Sequence, residues 1–465
     1  MTHLGMTRLQ TKRHEGVRGG PRLILLLLTS VLFVSGFGHI RAETLRASAL
    51  RAGAAKLDIT PSDDAALVLG GYGDRTQGFA GIHDPIYVRA IVFRAGETAA
   101  AIICGDLVGY SDDFRAKIFP RLERETGISP DHVLITATHT HGAPWILGLE
   151  SDPEGRRYVE RVADAVVEAV RLAQRRMRPA VAGAGAGRAN VNINRVARMA
   201  DGAWWLGLNP EGPSDKSLAV VRIDATDGQP IALLINQAVH GTAMGQENLM
   251  LTGDLPGAVS RFVERDFNDD FVAMWTSGAG GDQCPIYDRV AEDFRGMEAM
   301  GRATGEEVLR VAKEIRTGPV TSVAASRAEV ACPGRRFLKE VTHQPLSPAD
   351  FEPGPEVSFK LSALAIGKII LAGVSGEPFS NVGTMLKRQS PYVHTLLIAH
   401  ANGAASYLPD REGYDHIGYE VQVAEVQAGC AEDVIIPRLL QMIEENGDGP
   451  TFSETSRSLK KCQDK

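Results

Sequence analysis

The stretch Thr136-Ala137-Thr138-His139-Thr140-His141-Gly142-Ala143-Pro144-Trp145 carries two histidines, one residue apart, at the end of the apolar run Val133-Leu134-Ile135. Side chains two apart on an extended strand face the same side, so the run predicts a β-strand from whose end His139 and His141 project toward one spot. Imidazole is the commonest metal ligand, and zinc sites that do chemistry use about three protein ligands and leave one position open for water. Two histidines near a strand end can equally cap loop carbonyls. The metal reading therefore depends on ligands supplied from elsewhere in the chain. Gly142 and Pro144 stop the strand just after the second histidine, and strand ends are where the active-site loops of α/β proteins gather.

Residues of the same chemical types recur at the ends of other apolar runs. The run 231–239 leads into His240-Gly241-Thr242, and the run 368–374 into Ser375-Gly376-Glu377-Pro378-Phe379. After the run 393–398 come His400-Ala401-Asn402-Gly403, then Tyr407, Tyr414 and Tyr419-Glu420. Taken singly, each is an ordinary cap or turn residue. Together they predict that strand after strand delivers a ligand type to one end of the fold.

The elements that must position them read as α/β throughout, with mixed sheets and flanking helices in a single large domain. Residues 67–72 open onto a Gly-rich loop over 71–81, and 86–93, 99–104, 230–239 and 271–276 read as strands. The last of these runs into Ser277-Gly278-Ala279-Gly280-Gly281-Asp282. Residues 158–176 form an amphipathic helix, with Val159, Val162, Ala163, Val166 and Val170 on one stripe and a charged face opposite. Helices are also expected over 256–267, over 292–315 with a stop at Gly318-Pro319, and over 421–444 at the close. Residues 357–366 and 368–374 read as a hairpin through Gly367. The Pro-rich stretch 345–355 is the one candidate linker, and no internal repeat is visible.

The first forty or so residues stand apart. Arg8, Lys12, Arg13, Arg18 and Arg22 precede an almost wholly apolar run over 23–40, the pattern of an export signal or of an N-terminal membrane anchor over residues 1–42. That places the domain of residues 43–445 outside the cytoplasm, in the periplasm, outside the cell or tethered to a membrane, with residues 446–465 as a polar C-terminal tail. A net charge of −7 and the lack of basic runs after Arg22 argue against nucleic acid as a partner. Cys104, Cys284, Cys332, Cys430 and Cys462 are too few and too scattered for a disulfide scaffold. One pair can form after export, and an odd number leaves at least one thiol over.

Several stretches occur in the order seen in the neutral, alkaline, non-lysosomal ceramidases. They are Thr138-His139-Thr140-His141-Gly142-Ala143-Pro144, Val239-His240-Gly241-Thr242, Gly281-Asp282-Gln283-Cys284-Pro285, Gly376-Glu377-Pro378-Phe379, and Asn402-Gly403 followed by Tyr414 and Tyr419-Glu420. Gly81-Ile82-His83-Asp84 and Asn192-Ile193-Asn194-Arg195 are similar to family stretches as well. The chain resembles that family's N-terminal catalytic domain from Ala54 to the closing helix. The resemblance implies a Zn2+ hydrolase cleaving the amide of N-acylsphingosine, an amphiphilic N-acyl substrate met at or near a membrane surface. Carried over by motif, the zinc ligands are His139, His240, Glu377 and Tyr414, with Tyr407 and Tyr419 close by in sequence. His141 and Arg195 are implied to be substrate-polarising groups.

Zinc held by two imidazoles and a carboxylate lowers the pKa of water toward neutrality and polarises a carbonyl, which suits amide hydrolysis. His141 is placed to steady the developing oxyanion or to hand a proton to the leaving amine. Asp106 and Asp254 are candidates to orient the histidines, although both directly follow a glycine and suit plain turn roles equally. The family's ceramidases carry a serine in the Gly-Asp-x-Ser-Pro motif, where it contacts the scissile amide; here Cys284 takes its place, as a pocket-shaping group, a nucleophile or a ligand. They also continue into a β-sandwich, whereas this sequence ends in its polar tail. A zinc hydrolase acting on a soluble amide or ester, and a non-catalytic metal-stabilised binding module, are the two alternative readings.

Overall fold

The computed structural model describes residues 49–147, 152–287 and 293–448. The expected leader or anchor over residues 1–42, and all but the first three residues of the expected tail, lie outside them. In chain order the first third gives β1 (Arg51–Asp58), β2 (Gly81–Ile82), β3 (Tyr87–Ala95), β4 (Thr98–Gly105), helix α1 (Asp112–Thr126), β5 (Val133–Ala137) and α2 (Pro153–Arg175). The middle gives β6 (Arg178–Arg188), β7 (Asn192–Arg198), β8 (Trp204–Asn209), β9 (Ser217–Ala225), β10 (Pro230–Gln237), β11 (Met250–Leu251), α3 (Asp254–Glu264), β12 (Val272–Ser277), β13 (Gln283–Pro285) and α4 (Phe294–Glu314). The last third gives β14 (Val323–Phe337), β15 (Phe351–Ile366), β16 (Ile369–Val374), β17 (Glu377–Pro378), α5 (Ser380–Gln389), β18 (His394–Ile398), β19 (Tyr407–Leu408), α6 (Tyr419–Val423) and α7 (Ile436–Asn446).

Two mixed sheets dominate, one of eight strands in the order β12-β10-β9-β6-β1-β3-β4-β5 and one of four in the order β14-β15-β16-β18. Both faces of their central strands are apolar, as strands covered on two sides must be. In β3, Ile91 and Phe93 join a core shared with Leu364, Ile366 and Leu371 of the smaller sheet. The alternate residues Val88, Ala90 and Val92 face the helical side with Val162 and Val166 of α2. On the far half of the large sheet α3 and α4 cover Leu233 and Ile235, while Leu439 and Ile443 of α7 cover the outer face of the small sheet. The layers therefore run helices, large sheet, small sheet, helices. Helix α2 starts where Asp152 accepts from the Gly155 amide and Pro153 occupies the first turn. Among the described residues no helix is long and apolar enough to cross a membrane.

Two expectations are corrected. Residues 345–355 are no linker but the tip of the antiparallel hairpin β14–β15, closed by a single 3-10 turn over Pro348–Asp350 next to the Phe337–Phe351 pair. The helix expected over 421–444 is broken: α6 stops at Val423, Val426 bridges to Gly334, Gly429 sits at φ 95°, and helical turns resume only after Cys430. Cys430 is disulfide-bonded to Cys332 of β14, so the chain is tied to the hairpin before the last helix begins.

Candidate metal centre

Three parallel strand pairs, β4–β5, β10–β12 and β16–β18, end at one region of the molecule. This is the crevice at the carboxyl ends of strands where α/β folds place ligands. His139 follows β5, His240 follows β10, Glu377 follows β16 and His400 follows β18.

The two histidines of the Thr-His-Thr-His stretch do meet, but not by strand alternation. Strand β5 ends at Ala137, and His139 sits at φ 60°, in the left-handed region. That turn is held from outside: Thr140 bridges Gly241, and the His141 amide donates to the Gly241 carbonyl at 2.9 Å. The segments after β5 and β10 thus run side by side. His139 lies with its ring centroid 4.8 Å from that of His141 and 4.7 Å from that of His240.

Each putting of a ring toward the centre has a partner behind it. Nδ1 of His139 is 2.8 Å from the Val108 carbonyl oxygen, and Nδ1 of His240 is 2.7 Å from that of Gly280 and 3.1 Å from that of Gln283. A carbonyl only accepts, so both Nδ1 atoms carry a proton and both Nε2 atoms turn inward, where the neutral ring offers a lone pair. Those Nε2 atoms lie 3.5 Å and 3.3 Å from Glu377 Oε2, a buried oxygen with no hydrogen-bond partner. The Nε2 of His141 is 3.3 Å from that of His139, and His400 stacks on His139 at 3.9 Å with planes 14° apart.

Burial, with the neighbouring imidazoles, pushes His141, His240 and His400 well below the usual histidine range. Burial works to raise Glu377, but His139, His400 and Arg195 outweigh it and hold the carboxyl below its ordinary value. The result is a carboxylate facing the inward Nε2 atoms of His139 and His240. Without a cation between them those atoms repel one another; a divalent ion satisfies all of them at once, so the residues present fit a metal.

Tyr414 does not reach this centre. Its hydroxyl donates to the Val426 carbonyl at 2.8 Å and its ring lies under Arg335. Tyr407 comes in instead, because β17 and β19 pair Glu377 directly with Tyr407. Its hydroxyl is 3.5 Å from His240 Nε2 and accepts from Arg195 Nη2 at 2.9 Å. Arg195 is buried, its Nε bonded to Glu420 at 2.6 Å; despite the opposing pull of burial, Tyr407, Glu420 and Glu377 keep it firmly charged. Cys284 is buried on β13, paired with Ile193 beside Arg195, and the adjoining Gln283 carbonyl braces His240. Asp106 and Asp254 touch no imidazole. Asp106 pairs with the buried Arg89 at 2.8 Å, and Asp254 accepts from the amides of Ala243, Met244 and Leu255. His400, named among the strand-end residues but not among the implied ligands, joins the cluster, whereas Glu420 as the anchor of Arg195 was missed. The signal for both was their place directly after a strand or an aromatic motif.

A model of the neutral/alkaline non-lysosomal ceramidase N-terminal region matches residues 50–342, well over half of the chain. This chain belongs to that family. Among its relatives, neutral ceramidase A of Dictyostelium discoideum is 27% identical over 294 residues, 56% of this chain and 40% of that one. The neutral ceramidase of Mycobacterium tuberculosis is 28% identical over 248 residues, 47% of this chain and 38% of that one. The match thus spans less than half the length of these curated relatives. The fold is shared with the crystal structure of neutral ceramidase from Pseudomonas aeruginosa (TM-score 0.69, 17% identity, 85% of this chain and 74% of that one). It is shared equally with a ceramidase complexed with C2 (TM-score 0.71, 17% identity, 85% and 75%).

Proposed function

We propose that this protein is a zinc-dependent amidohydrolase of the ceramidase type, cleaving the N-acyl amide of a ceramide-like amphiphile to a sphingoid base and a fatty acid. The observation that carries this reading is the buried, unpartnered Glu377 Oε2 facing the inward Nε2 lone pairs of His139 and His240. These three residues would hold the ion, with Tyr407 alongside. When bound, zinc supplies a Lewis acid for the amide carbonyl and lowers the pKa of water toward neutrality. The protein's own groups do the rest. Arg195, fixed by Glu420 and Tyr407, directs a permanent positive charge at the oxygen on which negative charge develops. His141, neutral and beside His139, is placed to take a proton and return it to the leaving amine. Cys284 shapes the wall next to Arg195.

A second reading, a zinc hydrolase for a soluble amide or ester, is supported by Cys284 standing where the family's ceramidases carry serine. One panel of N-acylsphingosines and soluble amides and esters, run with and without chelator beside a metal analysis, separates the two. The ceramide reading expects turnover of a fluorescent ceramide that chelator abolishes and zinc restores. Zinc-loaded protein that cleaves only soluble substrates would establish the second reading in its place.

We also propose that the chain is exported and acts outside the cytoplasm. The basic and then apolar start of the sequence supports this, as does the Cys332–Cys430 disulfide, since such bonds persist in oxidising compartments. Fractionation that recovers the untruncated chain from the cytoplasm would contradict it.

A further inference from the structure

We propose that Arg75 is a positioning residue for this amide hydrolysis, holding a roof of residues 70–75 over His141; the inference rests on the function proposed above. Arg75 spends its whole donor set on main-chain carbonyls. Nε donates to Gln246 at 3.0 Å, Nη1 to Gly70 at 3.1 Å and to His141 at 2.5 Å, and Nη2 to Gly245 and Asn248, each at 2.8 Å. A guanidinium has five N–H groups in a fixed fork, and here each has an acceptor. The acceptors lie on three segments that border the centre: the roof itself, the turn bearing His139 and His141, and the loop that follows His240.

The roof also touches the His141 ring. Gly71 sits at φ 87°, and a Cβ there would lie 2.2 Å from the ring. Tyr72 meets the ring edge-on at 4.8 Å and 74°, while its own face carries the Arg75 guanidinium at 4.7 Å. What makes this contact decisive is a difference among the histidines. His139 and His240 are oriented by Nδ1 bonds to carbonyls, whereas Nδ1 of His141 is buried without a hydrogen-bond partner. With Nε2 facing His139, the Nδ1 side of the His141 ring is therefore held by packing against Gly71 and Tyr72, and Arg75 is what fixes that packing to the catalytic turn. Lysine cannot replace it, since a point charge with three donors does not span the five acceptors.

The test is Arg75→Gln in the zinc-loaded protein, alone and combined with His141→Ala. A displacement of about 1 Å at a catalytic group costs on the order of 100-fold in rate. The expected result is a kcat loss of about 10- to 100-fold, with KM and zinc content unchanged, and no further loss in the His141→Ala background. Equal fold losses in both backgrounds, or loss of zinc in Arg75→Gln, would overturn the proposal. Should that variant not accumulate, Arg75→Lys or Tyr72→Leu carries the same cycle. A substrate-free arm follows carbethoxylation of His141 by diethyl pyrocarbonate, read by peptide mass spectrometry against the half-exposed His343. Arg75→Gln should speed modification of His141 several-fold and leave His343 unchanged; an unchanged His141 rate counts against Arg75 even if no N-acyl substrate is turned over. Absence of turnover in the unsubstituted protein would fault the proposed function alone.

Discussion

At the scale of single residues, the two tyrosines separate a sequence position from a site position. Tyr407 faces His240 and Arg195, whereas Tyr414 is 82 residues past Cys332 yet packs within the fold that the disulfide closes, its hydroxyl bonded to Val426. Tyr407→Phe should lower turnover by about tenfold or more, the loss expected when a hydrogen bond to a charged group is removed from a transition state. Tyr414→Phe should leave turnover alone and cost about 1 kcal/mol of stability by stranding the Val426 carbonyl. Kinetics and thermal melts on the pair check this, and the opposite pattern would return the role to Tyr414. His139→Ala, His240→Ala and Glu377→Ala should each lose most bound zinc; full occupancy in all three would show that the ion sits elsewhere.

Asp282 gives a pH dependence whose sign is fixed. Burial, working against donors from Ser380, pushes its carboxyl up to about 7 from an ordinary 3.8. Between those values the folded chain holds a proton that the unfolded chain has lost, so stability is full below pH 4 and declines as pH rises to 7. At 1.36 kcal/mol per unit the window is worth on the order of 4 kcal/mol. Asp282→Asn removes the titration, so its melting temperature relative to the unsubstituted protein should climb across that window and then level off. A difference that stays flat from pH 4 to 8 would show that Asp282 is ionised throughout.

At the scale of elements, the sequence was readable where one local pattern determined the outcome. Helix α2 was legible because Val159, Val162, Val166 and Val170 repeat at helical spacing, and the β15–β16 hairpin because Gly367 supplies a positive φ between two apolar runs. Strand β6 was not, because Gly183, Gly185 and Gly187 hide its alternation; they are glycines because Ile315 and Glu307 pack closer than a Cβ allows. The break before α7 was hidden too, since apolar residues continue through 421–444 and the interruption comes with long-range contacts, the Val426–Gly334 bridge and the Cys332–Cys430 disulfide, on either side of Gly429. At the site, His139, His240 and Glu377 were legible as strand-end residues. Tyr407 depended on the β17–β19 pairing, and no spacing rule reports which tyrosine a parallel bridge will choose. The disulfide has its own expected outcome: Cys332→Ala with Cys430→Ala should cost about 2–4 kcal/mol while leaving zinc content unchanged. Denaturant melts and metal analysis of that double variant test both halves, and loss of zinc would mean that the last helix supports the centre directly.

At the scale of the whole molecule, the centre joins parts of the chain that are otherwise separately packed. His139 closes the edge strand of the large sheet, His240 the opposite half of that sheet, and Glu377 the smaller sheet lying against it. Each sheet has its own cover of helices, so an ion shared by these three residues would bond the two layers to each other at their common end. Without it, Glu377 and the imidazoles form a buried cluster of acceptors that gains by moving apart, and the cheapest movement is of one sheet end against the other. A ligand that binds only the folded chain stabilises it by about 2.7 kcal/mol at one hundred times its dissociation constant. For a domain of about 400 residues, whose unfolding entropy at about 2.1 cal/mol/K per residue is on the order of 0.8 kcal/mol/K, that is a rise of roughly 3 °C in melting temperature. Chelation should therefore lower the melting temperature by that amount, zinc should restore it, and in Glu377→Ala neither treatment should matter. Hydrogen exchange should place the loosening at residues 139–142, 240–248 and 375–379. A chelator-insensitive melt in protein shown to have lost its zinc would mean that the strand ends hold together without the ion, and that the donor set serves chemistry alone.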